Sequence, residues 1–234
     1  MPEWRLILAI DTCGPSGSVA LGRLAGRDLE ILGQVELAGR TYSATLVSAV
    51  AEVLRSAEVG LRGLGGIVAV NGPGSFTGVR VGLAAVKGLA EGMEIPVVAV
   101  SRLEVLSRKA GVPSAALDAH RGEVFLRVER MGEKPAEMLA GPRELAAIEP
   151  APVRVAVCDD GAAAVLAAAW PSTQIVIAQA PAAVDALRLG EARLVAGAAV
   201  DLALLDGHYL RRSDAEIFGN EVGGRRPAAE GKDV

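Results

Sequence analysis

The stretch Asn71–Gly82, NGPGSFTGVRVG, follows the apolar run Gly65–Val70, GGIVAV. A buried strand that leads through glycines into a helix is typical of phosphate-binding loops. A P-loop, however, requires Lys directly after its last glycine, whereas Val79 follows Gly78 here. The dinucleotide fingerprint GxGxxG requires a glycine where Thr77 stands. The stretch therefore matches neither of the standard phosphate signatures.

A looser anion site at the same loop stays open, because backbone N–H groups at a helix start attract anions without a particular side chain. Asp11 ends the first apolar run, where metal–phosphate chemistry often places a carboxylate. Each feature also has a plain structural explanation, since Asp11 can accept hydrogen bonds from turn N–H groups and Ser75 or Thr77 can be an N-cap. The candidate residues of a vestigial phosphate loop are Asp11, Gly72, Gly74, Ser75 and Thr77.

The helix predicted after the loop carries glycines that ordinarily weaken a helix. Gly78, Gly82 and Gly88 each cost about 1 kcal/mol relative to Ala, so they need a compensating role. At about 100° per residue, the charged residues of this helix fall on one narrow arc, and the rest of the circumference is apolar. One apolar face can cover a sheet, and the second face needs a partner of its own.

Glycines four apart allow another helix to approach closely. The partner of the second face is either the chain's own first helix, predicted at Ser43–Ala57, or another subunit. We expect the second arrangement, a helix bundle between subunits. The residues expected in that interface are Leu46, Val50, Val53, Gly78, Val79, Gly82, Leu83, Val86 and Leu89.

The patterns on either side of the stretch predict an α/β protein. Short apolar runs before residue 40 are separated by turn residues, which indicates antiparallel strands. Strands then alternate with helices as far as Gly111, which implies parallel neighbours. After Pro113 the pattern restarts. We expect a first lobe at residues 1–102, a smaller lobe at residues 103–212, and a polar, disordered tail at residues 213–234.

The composition argues against several functional classes. A formal net charge of −4 and an isoelectric point near 5.4 do not draw the chain to nucleic acid by itself. Cys13 and Cys158 form no CxxC motif, which favours a reducing compartment. The first residues carry no basic leader, and their apolar run is too short to span a membrane. We therefore expect a cytoplasmic protein without membrane contact.

The scarcity of histidine argues against metal-dependent or nucleophilic catalysis. His120 and His208 are the only histidines, and the sequence holds neither an HExxH motif nor a GxSxG elbow. We expect no metal and no cofactor. Asp118 and Glu123 flank a turn, where they are either an acid pair or the solvated ends of a hairpin.

Four segments of the sequence together resemble the TsaB (YeaZ) family. They are ILAIDTCGPSGSVAL, VNGPGSFTGVRVGLAAVKGLA, IPVVAVSRLEVL and LDAHRGEVF. The resemblance extends from Leu6 to about Arg130 and is most specific at GPGSFTGVR. The segment His208–Arg212, HYLRR, is similar to PxYLR near the family's C-terminus but lacks its proline, so we assign it no role on this ground.

This resemblance implies a fold of the actin, sugar-kinase and chaperone-ATPase superfamily, with two related lobes, each a mixed sheet flanked by helices. It also implies a role in tRNA modification, the making of threonylcarbamoyladenosine next to the anticodon. In that role the chain is a scaffold rather than an enzyme. It pairs through its first two helices with the TsaD paralogue, which holds the metal and transfers the threonylcarbamoyl group. A TsaE ATPase joins the pair, tRNA is contacted only indirectly, and the isolated protein forms a homodimer through the same surface.

Two alternative functions are weighed against the scaffold. The first is an ATP-binding or ATPase protein that uses Asp11 and the Gly72–Thr77 loop. The second is a glycopeptidase-like metalloenzyme. The resemblance argues against the second, because Tyr42 stands where the catalytic paralogue has a metal-binding histidine segment.

Overall fold

The computed structural model describes residues 6–26, 28–39 and 41–211, and the tail predicted at residues 213–234 lies outside them. The described residues form ten strands and six α-helices. In chain order these are β1 (Leu6–Asp11), β2 (Gly17–Ala25), β3 (Asp28–Leu37), α1 (Tyr42–Ser56), β4 (Leu64–Val70), α2 (Phe76–Met93), β5 (Val97–Val100), α3 (Arg102–Ala110), β6 (Ser114–His120), β7 (Glu123–Val128), β8 (Ala136–Ala140), α4 (Pro142–Ala146), β9 (Arg154–Val157), α5 (Asp160–Ala169), β10 (Gln174–Ile177) and α6 (Ala183–Val195). A 3₁₀ turn at Leu61–Gly63 precedes β4.

The predicted alternation of strands and helices is confirmed, and the structure adds β8 and α4, which the sequence did not indicate. β8 is a short strand at the edge of its sheet, and most of its residues are half-buried. It therefore shows neither a continuous apolar run nor a clear alternation. α4 has only five residues, too few to display a helical period.

The first half of the chain forms a mixed five-stranded sheet, sheet A, in the order β3-β2-β1-β4-β5. β1 pairs antiparallel with β2 and parallel with β4, and β4 pairs parallel with β5. Every residue of β1 and β4 is buried, because α1 and α2 cover one face of the sheet and α6 covers the other. This explains why both strands are continuous apolar runs.

The second half repeats this arrangement. Its five-stranded sheet, sheet B, has the order β8-β7-β6-β9-β10, so the first strand of each half lies at the centre, between an antiparallel and a parallel neighbour. The chain thus contains two mixed sheets of matching strand order, each flanked by helices, which is the arrangement that the sequence resemblance implied.

The two halves exchange their last helices. α3 follows the last strand of sheet A but packs on β6, β7 and β9 of sheet B. α6 follows the last strand of sheet B but packs on all five strands of sheet A. The division into lobes at residues 1–102 and 103–212 stays a prediction, and α6 lies in the second of these ranges although it completes the core of the first sheet. Among the helices that the structure describes, none has the length and apolar content needed to cross a membrane.

Candidate functional site

The loop between β4 and α2 packs against the turn that follows β1. The Ser75 N–H donates to the Cys13 carbonyl at 2.9 Å, and the Ser75 hydroxyl caps α2 by accepting from the Gly78 N–H at 3.3 Å. Gly72 has a φ of +113°, which favours glycine, and a Cβ on Gly74 would overlap the Cys13 carbonyl. The polar groups and glycines of the loop therefore make contacts within the chain.

Asp11 is paired inside the protein. Its side chain lies in the core, and its Oδ2 is 3.5 Å from the Nε of Arg102, which is 5% exposed. Its Oδ1 accepts from the Cys13 N–H at 2.9 Å. Burial acts to lower the pKa of the Arg102 guanidinium, but the Asp11 carboxylate raises it above its ordinary value. Arg102 thus neutralises the carboxylate that a metal–phosphate site would need.

The structure brings some of the five phosphate-loop candidates together and separates others. Asp11, Gly74 and Ser75 meet around the backbone of Cys13. Gly72 is buried behind them, where its carbonyl accepts from the Arg102 N–H at 2.6 Å. Thr77 is exposed on the first turn of α2, and the N-cap is Ser75 rather than Thr77.

Tyr42 is buried at the same junction. Its hydroxyl donates to the Gly14 carbonyl at 2.7 Å, and its ring packs close to Gly17 and Gly78. Burial, helped by the negative charge of Asp11, raises the pKa of Tyr42 to about 12. Its hydroxyl therefore stays protonated and holds the β1–β2 turn to the start of α1.

The glycines of α2 have a different role from the one predicted. A Cβ on Gly78 would overlap the Thr12 carbonyl, and a Cβ on Gly82 would overlap the Thr12 hydroxyl. That hydroxyl donates to the Gly78 carbonyl at 2.7 Å. The explanation of Gly78 and Gly82 as spacing for a partner's helix is wrong, because they give room to the chain's own β1–β2 turn.

The predicted interface residues lie mostly in the chain's own core. Leu46, Val50, Val53, Gly78, Val79, Gly82, Leu83 and Val86 are buried, and Leu89 is half-buried. α1 contacts α2, in line with the arrangement that the sequence left as the alternative. An interface on these helices has to use their exposed neighbours instead.

The outer surface of α1 and α2 carries several small or apolar residues among charged ones such as Glu52, Arg55 and Glu91. A Cβ added at Gly88 or Gly92 would meet no heavy atom within 4 Å. Ala51 and Ala84 are also exposed, and Val47 on α1 is 75% exposed. We name these exposed positions on α1 and α2 together the α1–α2 face.

A cleft of about 320 Å³ lies beside β5, β7, β8 and the segment after α6. Glu137 in its wall accepts from the Ser101 hydroxyl at 2.6 Å and from Arg127 at 2.9 Å, and it pairs with His208 at 2.9 Å. Burial acts to raise the pKa of Glu137, but these three partners, led by His208, hold it below its ordinary value. The sequence did not indicate this network, because its members come from distant parts of the chain.

Asp118 and Glu123 have different partners. Asp118 accepts from the His120 N–H at 2.7 Å and pairs with the His120 ring, whereas Glu123 pairs with Arg211. Both lie at the ends of the β6–β7 hairpin, where they are half-buried and paired with basic side chains rather than with each other. Within residues 6–26, 28–39 and 41–211, the structure shows no group of three His, Cys, Asp or Glu side chains placed to hold a metal ion.

Several known proteins resemble this chain in sequence. The profile of the family described as "TsaD: tRNA N6-adenosine threonylcarbamoyltransferase" matches residues 34–149. The protein of Escherichia coli K12 named tRNA threonylcarbamoyladenosine biosynthesis protein TsaB is 37% identical over 125 residues, which cover 51% of this chain and 52% of that protein. The protein of the same name from Bacillus subtilis 168 is 37% identical over 123 residues, which cover 51% of this chain and 52% of that protein.

The crystal structure of YeaZ from Pseudomonas aeruginosa superposes with a TM-score of 0.70 at 27% identity, and the match covers 88% of this chain and 100% of that one. The chain is thus similar to TsaB proteins over about half of its sequence and to YeaZ in fold over most of its length. The chain spans about half the length of the curated TsaB relatives it matches. The Asn71–Gly82 stretch lies within the residues that the profile matches. Those relatives carry in their names the biosynthesis of threonylcarbamoyladenosine in tRNA, the process that the sequence resemblance implied.

Proposed function

We propose that this chain is a non-catalytic scaffold for threonylcarbamoyl transfer to tRNA adenosine, and that it acts by pairing with a TsaD-like paralogue. The observation that carries the proposal is the α1–α2 face, a set of exposed small or apolar residues on two adjacent helices. Positions such as Gly88 and Gly92 let the backbone of another helix approach closely, which favours a helix bundle. The proposal includes a cytoplasmic location, indirect contact with tRNA, a TsaE-like ATPase as third member, and a homodimer in isolation.

The surroundings of Asp11 favour a scaffold over a catalyst. In a nucleotide enzyme this carboxylate would face a metal-bound phosphate, but here Arg102 neutralises it within the core. The backbone of Cys13 occupies the space over Gly74, and the Arg102 side chain occupies the space over Gly14. Both observations weaken the alternative of an ATP-binding protein with its own phosphate site.

A substitution on the α1–α2 face tests the proposal without disturbing the fold. Gly88→Leu adds a side chain where the chain leaves open space, and Leu favours a helix over Gly by about 0.8 kcal/mol. We expect the variant to stay folded, with an equal or higher melting temperature, and to lose binding to the TsaD-like protein of the same organism. Co-purification and isothermal titration calorimetry measure that binding.

The matched control is Ala168→Leu, which enlarges an exposed position on α5, a helix that packs on sheet B. This control should bind the paralogue as the unmodified chain does. Absence of any binding by the unmodified chain would contradict the scaffold proposal. Unchanged binding by Gly88→Leu would contradict the placement of the interface on the α1–α2 face.

Calorimetry with Mg-ATP on the isolated chain separates the scaffold from the nucleotide-binding alternative. We expect no sub-millimolar binding, because Arg102 already pairs with Asp11. Sub-millimolar binding that Asp11→Ala abolishes would favour the alternative instead.

A further inference from the structure

We infer that Phe76, Arg80 and Tyr209 form the anchor of the partner surface, and that the segment after α6 therefore contributes directly to partner binding. This inference rests on the proposed function and extends its interface beyond the α1–α2 face. The segment concerned, residues 200–211, is named here the C-terminal strap. It contains the HYLR part of the motif to which the sequence assigned no role.

The C-terminal strap is fixed to sheet A at several points. The Val200 N–H donates to the Val97 carbonyl at 2.8 Å, and the Leu205 side chain is buried in the core beside sheet A. The His208 N–H donates to the Asn71 carbonyl at 2.6 Å, at the start of the glycine-rich loop. The strap therefore runs directly beside the stretch that leads into α2.

The strap is also fixed to sheet B. The His208 ring lies 2.9 Å from Glu137 on β8, and Arg211 pairs with Glu123 on β7. Tyr209 lies between these two attachments. Its position is thus set before any partner arrives, and binding through it costs little conformational entropy.

Tyr209 stacks on the first residue of α2. The rings of Tyr209 and Phe76 are 4.9 Å apart between centroids and inclined by 11°. The guanidinium carbon of Arg80 lies 5.5 Å from the centroid of Phe76 and 5.9 Å from that of Tyr209. Tyr209 is 37% exposed and Arg80 is exposed, so the cluster is partly covered by the chain and partly presented to solvent.

The cluster is continuous with the α1–α2 face. Positions four apart on a helix are neighbours, but each step turns by about 40° around the axis, so the row that begins with Phe76 and Arg80 winds around the exposed side of α2 into small residues. Those residues are Ala84, Gly88 and Gly92. A partner helix that packs on Ala84 would meet the guanidinium of Arg80 and, beside it, the aromatic rings at the N-terminal end of α2.

The chemistry of the cluster fits a protein that brings a carboxylate. Within the part of the chain that the structure describes, Arg80 forms no ion pair, as is also true of exposed arginines such as Arg154, but Arg80 lies over two aromatic rings. Tyr and Arg are the residue types that most often dominate protein interfaces. The net charge of −4 disfavours RNA as the occupant.

Calorimetric titration of the TsaD-like protein into the full chain tests the inference. Arg80→Glu and Tyr209→Ala should each weaken the affinity by about tenfold or more, the effect typical of anchor residues. Tyr209→Phe keeps the stacked ring and should bind within twofold of the unmodified chain. The matched controls are Arg154→Glu, an equal charge change at the start of β9, and Leu204→Ala, at an 80% exposed position on the same strap. Both controls should bind normally.

The outcomes separate this inference from the proposed function. If the unmodified chain binds the paralogue and both Arg80→Glu and Tyr209→Ala bind equally well, the inference is wrong and the scaffold proposal stands. If the unmodified chain does not bind, the scaffold proposal fails and the inference fails with it. If the two variants weaken binding of tRNA to the isolated chain but leave paralogue binding intact, the cluster is an RNA site and the inference is overturned.

Discussion

Replacing Gly82 and Gly88 with Ala, one at a time, should change the stability of the protein in opposite directions. Both glycines lie in the interior of α2, where Ala is favoured over Gly by about 1 kcal/mol. At Gly88 an added Cβ meets no atom within 4 Å, so this preference acts alone. We expect a gain of about 1 kcal/mol, which raises the melting temperature by about 2–4 °C for a protein of this size.

At Gly82 the added Cβ would lie closer than 3.0 Å to the Thr12 hydroxyl oxygen. Thr12 then has to turn or shift, and its 2.7 Å hydrogen bond to the Gly78 carbonyl is lost. Overpacking costs about 1–3 kcal/mol, and a buried hydroxyl without its partner costs a similar amount. After the gain in helix preference is subtracted, we expect a net loss of about 2–3 kcal/mol.

Urea unfolding of the two single variants measures these changes, and a double variant isolates their cause. Thr12→Ala removes the hydroxyl that Gly82→Ala would strike, so the second substitution should cost much less in a Thr12→Ala background than in the unmodified chain. A stabilising effect of Gly82→Ala, equal to that of Gly88→Ala, would refute the packing of α2 on Thr12. It would return Gly82 to the role of spacing for a partner.

Two further predictions concern the buried groups beside Thr12. Arg102→Met should cost about 3–5 kcal/mol in urea unfolding, because it leaves the buried Asp11 carboxylate without a positive charge beside it, and a second substitution, Asp11→Asn, should recover part of the loss. In the folded chain the pKa of Tyr42 is raised from 10.0 to about 12. The unfolded chain therefore releases this proton at a lower pH than the folded chain does. As a result, the unmodified protein loses stability as the pH rises from 10 to 12. Tyr42→Phe should lose less over that interval in thermal melts, and equal slopes for both proteins would argue against the buried phenol.

The sequence by itself determined the fold class and the resemblance to a family. The continuous apolar runs of β1 and β4 could only be buried strands, and the alternation of strands with helices required parallel neighbours. The segment GPGSFTGVR is specific enough to indicate the family from its residues alone. These features are local or periodic along the chain, so they can be read without knowing which distant residues meet.

Only the tertiary structure decided what the glycines and polar groups contact. Gly78 and Gly82 looked like an interface because a helical projection shows which face is apolar but not what covers it. The pairing of Asp11 with Arg102 joins residues that are far apart in sequence, as does the stacking of Tyr209 on Phe76. Such contacts depend on strand order and on the exchange of α3 and α6 between the sheets, which no local pattern encodes. For the same reason, the proposed partner surface lies on the exposed side of α2 and not on the side that the sequence indicated, which is buried.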